Sequence, residues 1–141
     1  MFRVRWIAAL LLAAAIPAQA DVTVENAKLR LLPGNLPAAG YFDLRNNGDQ
    51  PVVLTGGSSD AFAEVMMHRS TLKDGVASMQ HLSQVEVPAG SKLSFASGGY
   101  HLMLMQHQRT LALGDQVNVT LNFSDGRSVP IIFTAVAPTA P

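Results

Sequence analysis

From Gln116 to Phe123 apolar and polar side chains alternate without a break, Val117, Val119, Leu121 and Phe123 against Gln116, Asn118, Thr120 and Asn122. A period of two sends alternate side chains to opposite faces of an extended chain, so one face of this segment enters a core and the other meets water. Ser124-Asp125-Gly126 turns the chain, and Ser128 to Val136 resumes with Val129, Ile131, Phe133 and Ala135 on one face, which predicts a β-hairpin. Pro130 offers no N–H to a ladder and marks an edge or a bulge.

The same reading upstream predicts strands at Val22 to Leu32, Gly40 to Asn46, Val52 to Thr55, Ala63 to Ser70, Gln84 to Val87, Lys92 to Ala96 and His101 to His107. Turn residues separate them: Asn46-Asn47-Gly48-Asp49, Lys73-Asp74-Gly75, Pro88-Ala89-Gly90 and Ser97-Gly98-Gly99. Leu111 to Asp115 reads as a turn leading into the Gln116 strand. Many short strands with turn signals every roughly 8 to 12 residues, and no sustained helical period, predict a single-domain, all-β antiparallel sandwich or barrel.

Two terminal segments fall outside that pattern. Arg3 and Arg5 precede an apolar run from Trp6 to Ile16, Pro17 ends it, and Ala18-Gln19-Ala20 offers small residues to a signal peptidase. The run is shorter than the roughly 18 residues a membrane span needs. Residues 1–20 are therefore expected to be a secretory signal peptide, 21–137 the folded domain with no membrane span once the signal is removed, and 138–141 a frayed, Pro-rich tail. A periplasmic location follows.

Composition narrows the function. Ten Lys and Arg balance ten Asp and Glu, and removal of Arg3 and Arg5 leaves eight basic residues, a net charge of about −2. No basic excess is available for a phosphate backbone, so a nucleic-acid partner is not expected. The chain has no Cys. This excludes disulfides, zinc–thiolate and iron–sulfur sites, acylation at an N-terminal Cys, and the thiolate of a blue-copper centre.

The remaining candidates for chemistry are six Met, one of them Met1, and four His. His101 and Met103 lie two apart on a predicted strand, so an imidazole and a thioether share a face while Leu102 and Leu104 turn to the core. His68 and Met79 flank the loop around Lys73-Asp74-Gly75 and are available as a second pair. Taken singly, a Met fills gaps in cores and a His hydrogen-bonds at surfaces. Met66 shares the face of His68 and is the best substitute donor, whereas Met67 should point into apolar packing. Met105 and His107 continue the His101 face if the strand stays regular, but at about 3.3 Å per residue His107 is some 20 Å from His101. His81 reads as a solvated loop residue. Glu64, Asp60 and Asp74 read as surface charges, since no nucleophile, base and orienting group form a recognisable set.

The spacing His68-x10-Met79-x21-His101-x-Met103 resembles the H-x10-M-x21-H-x-M pattern of the periplasmic copper chaperone family PCu(A)C. The resemblance extends over residues 22 to 137 through Ala39-Gly40-Tyr41-Phe42, Asn46-Asn47-Gly48, Lys73-Asp74-Gly75-Val76, Val87-Pro88-Ala89-Gly90, Gly98 to Met105 and Leu113-Gly114-Asp115. It implies a cupredoxin-like Greek-key fold, one Cu(I) per chain held by His68, Met79, His101 and Met103, and delivery toward the CuA centre of cytochrome c oxidase. The acceptor would be an oxidase subunit or another assembly chaperone. The tail lacks the His- and Met-rich extension of some members, so no second, Cu(II)-type site is expected there.

Donor chemistry agrees with a reduced ion. Thioether sulfur is soft and uncharged and suits Cu(I), whereas zinc recruits Cys, His or carboxylate and hard ions take oxygen. Two Met and two neutral His offer Cu(II) too little nitrogen or oxygen in a tetragonal plane, which argues against redox cycling and against an enzyme. A copper-buffering or resistance protein without a dedicated acceptor would use the same ligands.

Overall fold

The computed structural model describes residues 22–139. The signal segment expected at 1–20, and the end of the expected tail, lie outside the described residues. The ten strands are β1 (Val22–Arg30), β2 (Ala38–Asn46), β3 (Val52–Ser59), β4 (Phe62–Lys73), β5 (Val76–Leu82), β6 (Val85–Val87), β7 (Lys92–Phe95), β8 (Tyr100–His107), β9 (Gln116–Phe123) and β10 (Ser128–Val136). Among the described residues there is no helix able to cross a membrane.

β9 keeps Val117, Val119, Leu121 and Phe123 buried, as its alternation requires, and pairs antiparallel with β10 from Asn122↔Ser128 to Gln116↔Thr134. β10 has β1 on its other side only at Thr134 to Val136. Pro130 therefore lies where that side of β10 carries no ladder, the edge position its missing N–H demands.

Seven strands close a barrel in the order β4, β8, β2, β1, β10, β9, β3, with β3 returning to β4 at Gly57↔Val65. Closure is tight at Gly57, where an added Cβ would lie 2.8 Å from the Thr120 carbonyl oxygen. β5, β6 and β7 are appended to β4, β3 and β2.

Leu29, Leu44, Leu54, Leu102, Leu104 and Leu121 fill the interior with Phe42, Phe95 and Phe133. Phe42 stacks on Phe95 at 4.4 Å and meets Phe133 edge-on at 5.9 Å. Each such side chain contributes about 1.5–3 kcal/mol by leaving water. The buried Asn46 is satisfied locally: Nδ2 donates to the carbonyls of Gln50 and Val87 at 2.7 and 3.1 Å, and Oδ1 accepts from the Gly48 N–H at 3.0 Å. These bonds fasten the Asn46-Asn47-Gly48 turn to β6.

The structure departs from the sequence reading in two places. β1 and β10 pair in parallel, with Lys28 opposite Thr134, inside a sheet expected to be antiparallel throughout. A strand, β5, occupies residues read as loop. Its residues are exposed up to Leu82, so no buried face imposes an apolar alternation on its sequence.

Candidate metal centre

Two ladders position the candidate donors. Between β4 and β8, His68 lies opposite His101, Met66 opposite Met103, and Met67 opposite Leu102. Met67, Leu102 and Leu104 are buried in the core. The intervening residues Met66, His68, His101, Met103 and Met105 consequently take the other face of the sheet. Between β4 and β5, His68 lies opposite His81 and Ser70 opposite Met79.

His68 thus sits in the middle of three imidazoles. Its ring centroid is 5.6 Å from that of His101, with planes at 89°, and 5.6 Å from that of His81, with planes at 71°. His81 is exposed, as the sequence suggested, but it lies on strand β5 and not in a loop. It follows Met79 by two positions, so a period-two reading carried across the Lys73-Asp74-Gly75 turn would have found it.

The two deeper rings differ in their hydrogen bonding. His101, 5% exposed, has Nδ1 at 3.3 Å from the Gly99 carbonyl, which also accepts the Ser70 N–H at 3.0 Å. A carbonyl can only accept, so Nδ1 of neutral His101 carries the proton and Nε2 keeps its lone pair. His68 Nδ1 is buried without a hydrogen-bond partner. Burial, then the charges that His101 and His81 would carry, hold His68 below the usual imidazole range. The lowered value keeps the His68 lone pair available to a metal at neutral pH.

The thioethers are disposed unequally. Met103 is beside His101 and directly opposite Met66. Met79 is on the outermost strand, 54% exposed, two residue pairs toward the β4–β5 turn from His68. In a flat sheet, two strand spacings and four residues would separate Met79 from Met103, about 10 Å by 14 Å. Convergence on one ion therefore depends on the coiling of the β4–β5 hairpin, which extends beyond the last β8 partner at Arg69↔Tyr100.

His107 stands apart, as expected from its distance along β8. Gln106 has φ of 60°, which breaks the regular alternation, and the His107 ring packs at 4.7 Å on the buried Phe62. Its Nε2 donates to the Leu36 carbonyl at 3.0 Å. Among the described residues no three His, Asp or Glu side chains are already gathered into a metal cage.

A family model described as "Putative lipoprotein LpqE-like" matches residues 22–135. The chain belongs to the LpqE-like family. It is 36% identical over 115 residues, 80% of its length and 69% of the relative's, to "Putative lipoprotein Lxx21020" of Leifsonia xyli subsp. xyli. Its fold is that of PCuAC domains, in keeping with the PCu(A)C resemblance. The copper-bound PCuAC domain from PmoF2 superposes with a TM-score of 0.71 at 25% identity, covering 85% of this chain and 97% of that domain. The Cu(I) form of DR1885 from Deinococcus radiodurans gives 0.68 at 34% identity, covering 84% and 80%. The LpqE-like member described here has no Cys, so a thioether-linked lipid has no attachment point among its residues.

Proposed function

We propose that this LpqE-like protein binds copper outside the cytoplasm as a chaperone, taking one Cu(I) through His68, Met79, His101 and Met103 and releasing it by ligand exchange. The observation that carries the reading is the His68–His101 pair: two imidazoles face each other at 5.6 Å, one with Nδ1 against the Gly99 carbonyl and the other with an unpartnered buried Nδ1. Met103 adds a soft donor next to them. The copper-bound and Cu(I)-bound solved relatives support the choice of ion, and the lipoprotein relative supports a place beyond the inner membrane.

The exposure gradient gives the exchange an order. Met79 is half-exposed on an edge strand, whereas His101 is buried. An incoming donor from an acceptor would displace Met79 first and the imidazoles last, so the ion is never without ligands. The acceptor we infer is the CuA-bearing subunit of cytochrome c oxidase or a chaperone that serves it. Cu(I)-loaded protein mixed with a copper-free CuA domain, separated and assayed for metal, tests delivery. Copper should pass to the acceptor. Retention at every acceptor ratio would replace delivery with buffering.

A further inference from the structure

The cross-strand row His81–His68–His101 offers more nitrogen than a Cu(I) site of two Met and two His uses. His81 stands directly opposite His68 in the β4–β5 ladder, and its ring is as close to His68 as that of His101, 5.6 Å in each case. Met79 is displaced by two residues from that row, so a metal centred on His68 has His81 as its nearer neighbour on β5. The buried, unpartnered Nδ1 of His68 is a second sign that a ligand belongs here, because such an atom is costly unless something satisfies it.

We propose that His81 is a third imidazole ligand which, with His68 and His101, gives this protein a nitrogen-rich set for Cu(II) overlapping the thioether-rich set for Cu(I). The inference rests on the copper reading above and extends it to the oxidised ion. Cu(II) favours nitrogen and oxygen donors in a tetragonal plane, while thioethers favour Cu(I). Three imidazoles and one water complete such a plane without either Met. The three rings are not already gathered around one point. The side chain that must move is on an exposed edge strand, where a rotamer change meets little packing. Each ion is taken up in the oxidation state in which it arrives, so no electron transfer is involved.

The test titrates the protein and its His81→Gln variant with Cu(II) in air and, separately, with Cu(I) under anaerobic chelator competition. Electron paramagnetic resonance counts the nitrogens bound to Cu(II). Native protein should show three imidazole nitrogens. His81→Gln should lose one and weaken Cu(II) binding at least about tenfold, with Cu(I) affinity changed by less than about twofold. A His107→Gln control should change neither ion. An unaltered Cu(II) spectrum and affinity in His81→Gln, or equal losses for both ions, would overturn the proposal, as would a native protein that takes no Cu(II). Failure of the native protein to bind Cu(I) would instead overturn the reading on which it rests. His81 is exposed, and far-UV circular dichroism checks that the variant keeps the native sheet.

Discussion

His68 and His101 meet edge to face across β4 and β8, ring centroids 5.6 Å apart and planes at 89°. Direct register, not loop geometry, brings them together, since the two residues are partners in the ladder. Their separation is therefore as rigid as the barrel, and each ring can donate to an ion lying over the pair.

Ligand variants should be unequal. His101→Ala or Met103→Ala should weaken Cu(I) binding by roughly 100-fold or more, since each removes a bond to the ion and not a supporting contact worth 10–100-fold. Met105→Ala should change it by less than about threefold, because Met105 lies opposite Glu64, two residue pairs beyond Met103↔Met66. Chelator competition at fixed pH measures all three.

The assignment of the second sulfur is open to a direct comparison. Met66 is opposite Met103, while Met79 depends on hairpin coiling to reach the ion. With Met79 as the ligand, Met79→Leu should lose affinity by about tenfold or more and Met66→Leu by much less. The reverse order, read by the same competition assay, would move the sulfur to β4.

Protons should compete with copper over a window set by His68. Its folded value lies below the ordinary 6.5, first through burial and then through His101 and His81. Between the two values the unfolded chain binds more protons at this ring, so the contribution of His68 to stability rises with pH there and is lost as pH falls from 6.5 through the lowered folded value. The lone pair likewise stays available below the point at which an exposed His would lose it. Thermal unfolding of the copper-free protein, followed from pH 8 to 5, should be flat above neutrality and decline below about 6.5, whereas Cu(I) affinity should begin to fall only at lower pH, where the folded His68 protonates.

Barrel closure is testable away from the metal. Gly57→Ala forces a Cβ to within 2.8 Å of the Thr120 carbonyl and should destabilise the fold by about 1–3 kcal/mol. Denaturant unfolding would register this, with Cu(I) affinity of the folded protein unchanged.

The strands with a buried face were legible in the sequence. Val117 to Phe123 and Val129 to Ala135 were written by the core they enter, and Leu102 and Leu104 fixed the face of His101 and Met103. β5 was not legible, because an exposed edge strand has no core to impose alternation, and His81 was lost with it. The parallel pairing of β1 with β10 was equally hidden. Periodicity reports which face of a strand is buried and says nothing of its neighbour's direction, and here the two partners lie at opposite ends of the sequence. The spacing of the candidate donors was plain in the chain, but the register that puts Met66 rather than Met79 opposite Met103 exists only in the folded sheet.

The His68–His101 pair is expected to build a single Cu(I) site. The most direct measurement is an anaerobic Cu(I) titration of the protein and of a His68→Ala/His101→Ala double variant against a chromophoric chelator. The expected result is one tightly held Cu(I) per native chain, no intense visible thiolate band, and loss of that equivalent in the double variant. Two equivalents of similar affinity in the native protein, or one equivalent that survives the loss of both imidazoles, would contradict it.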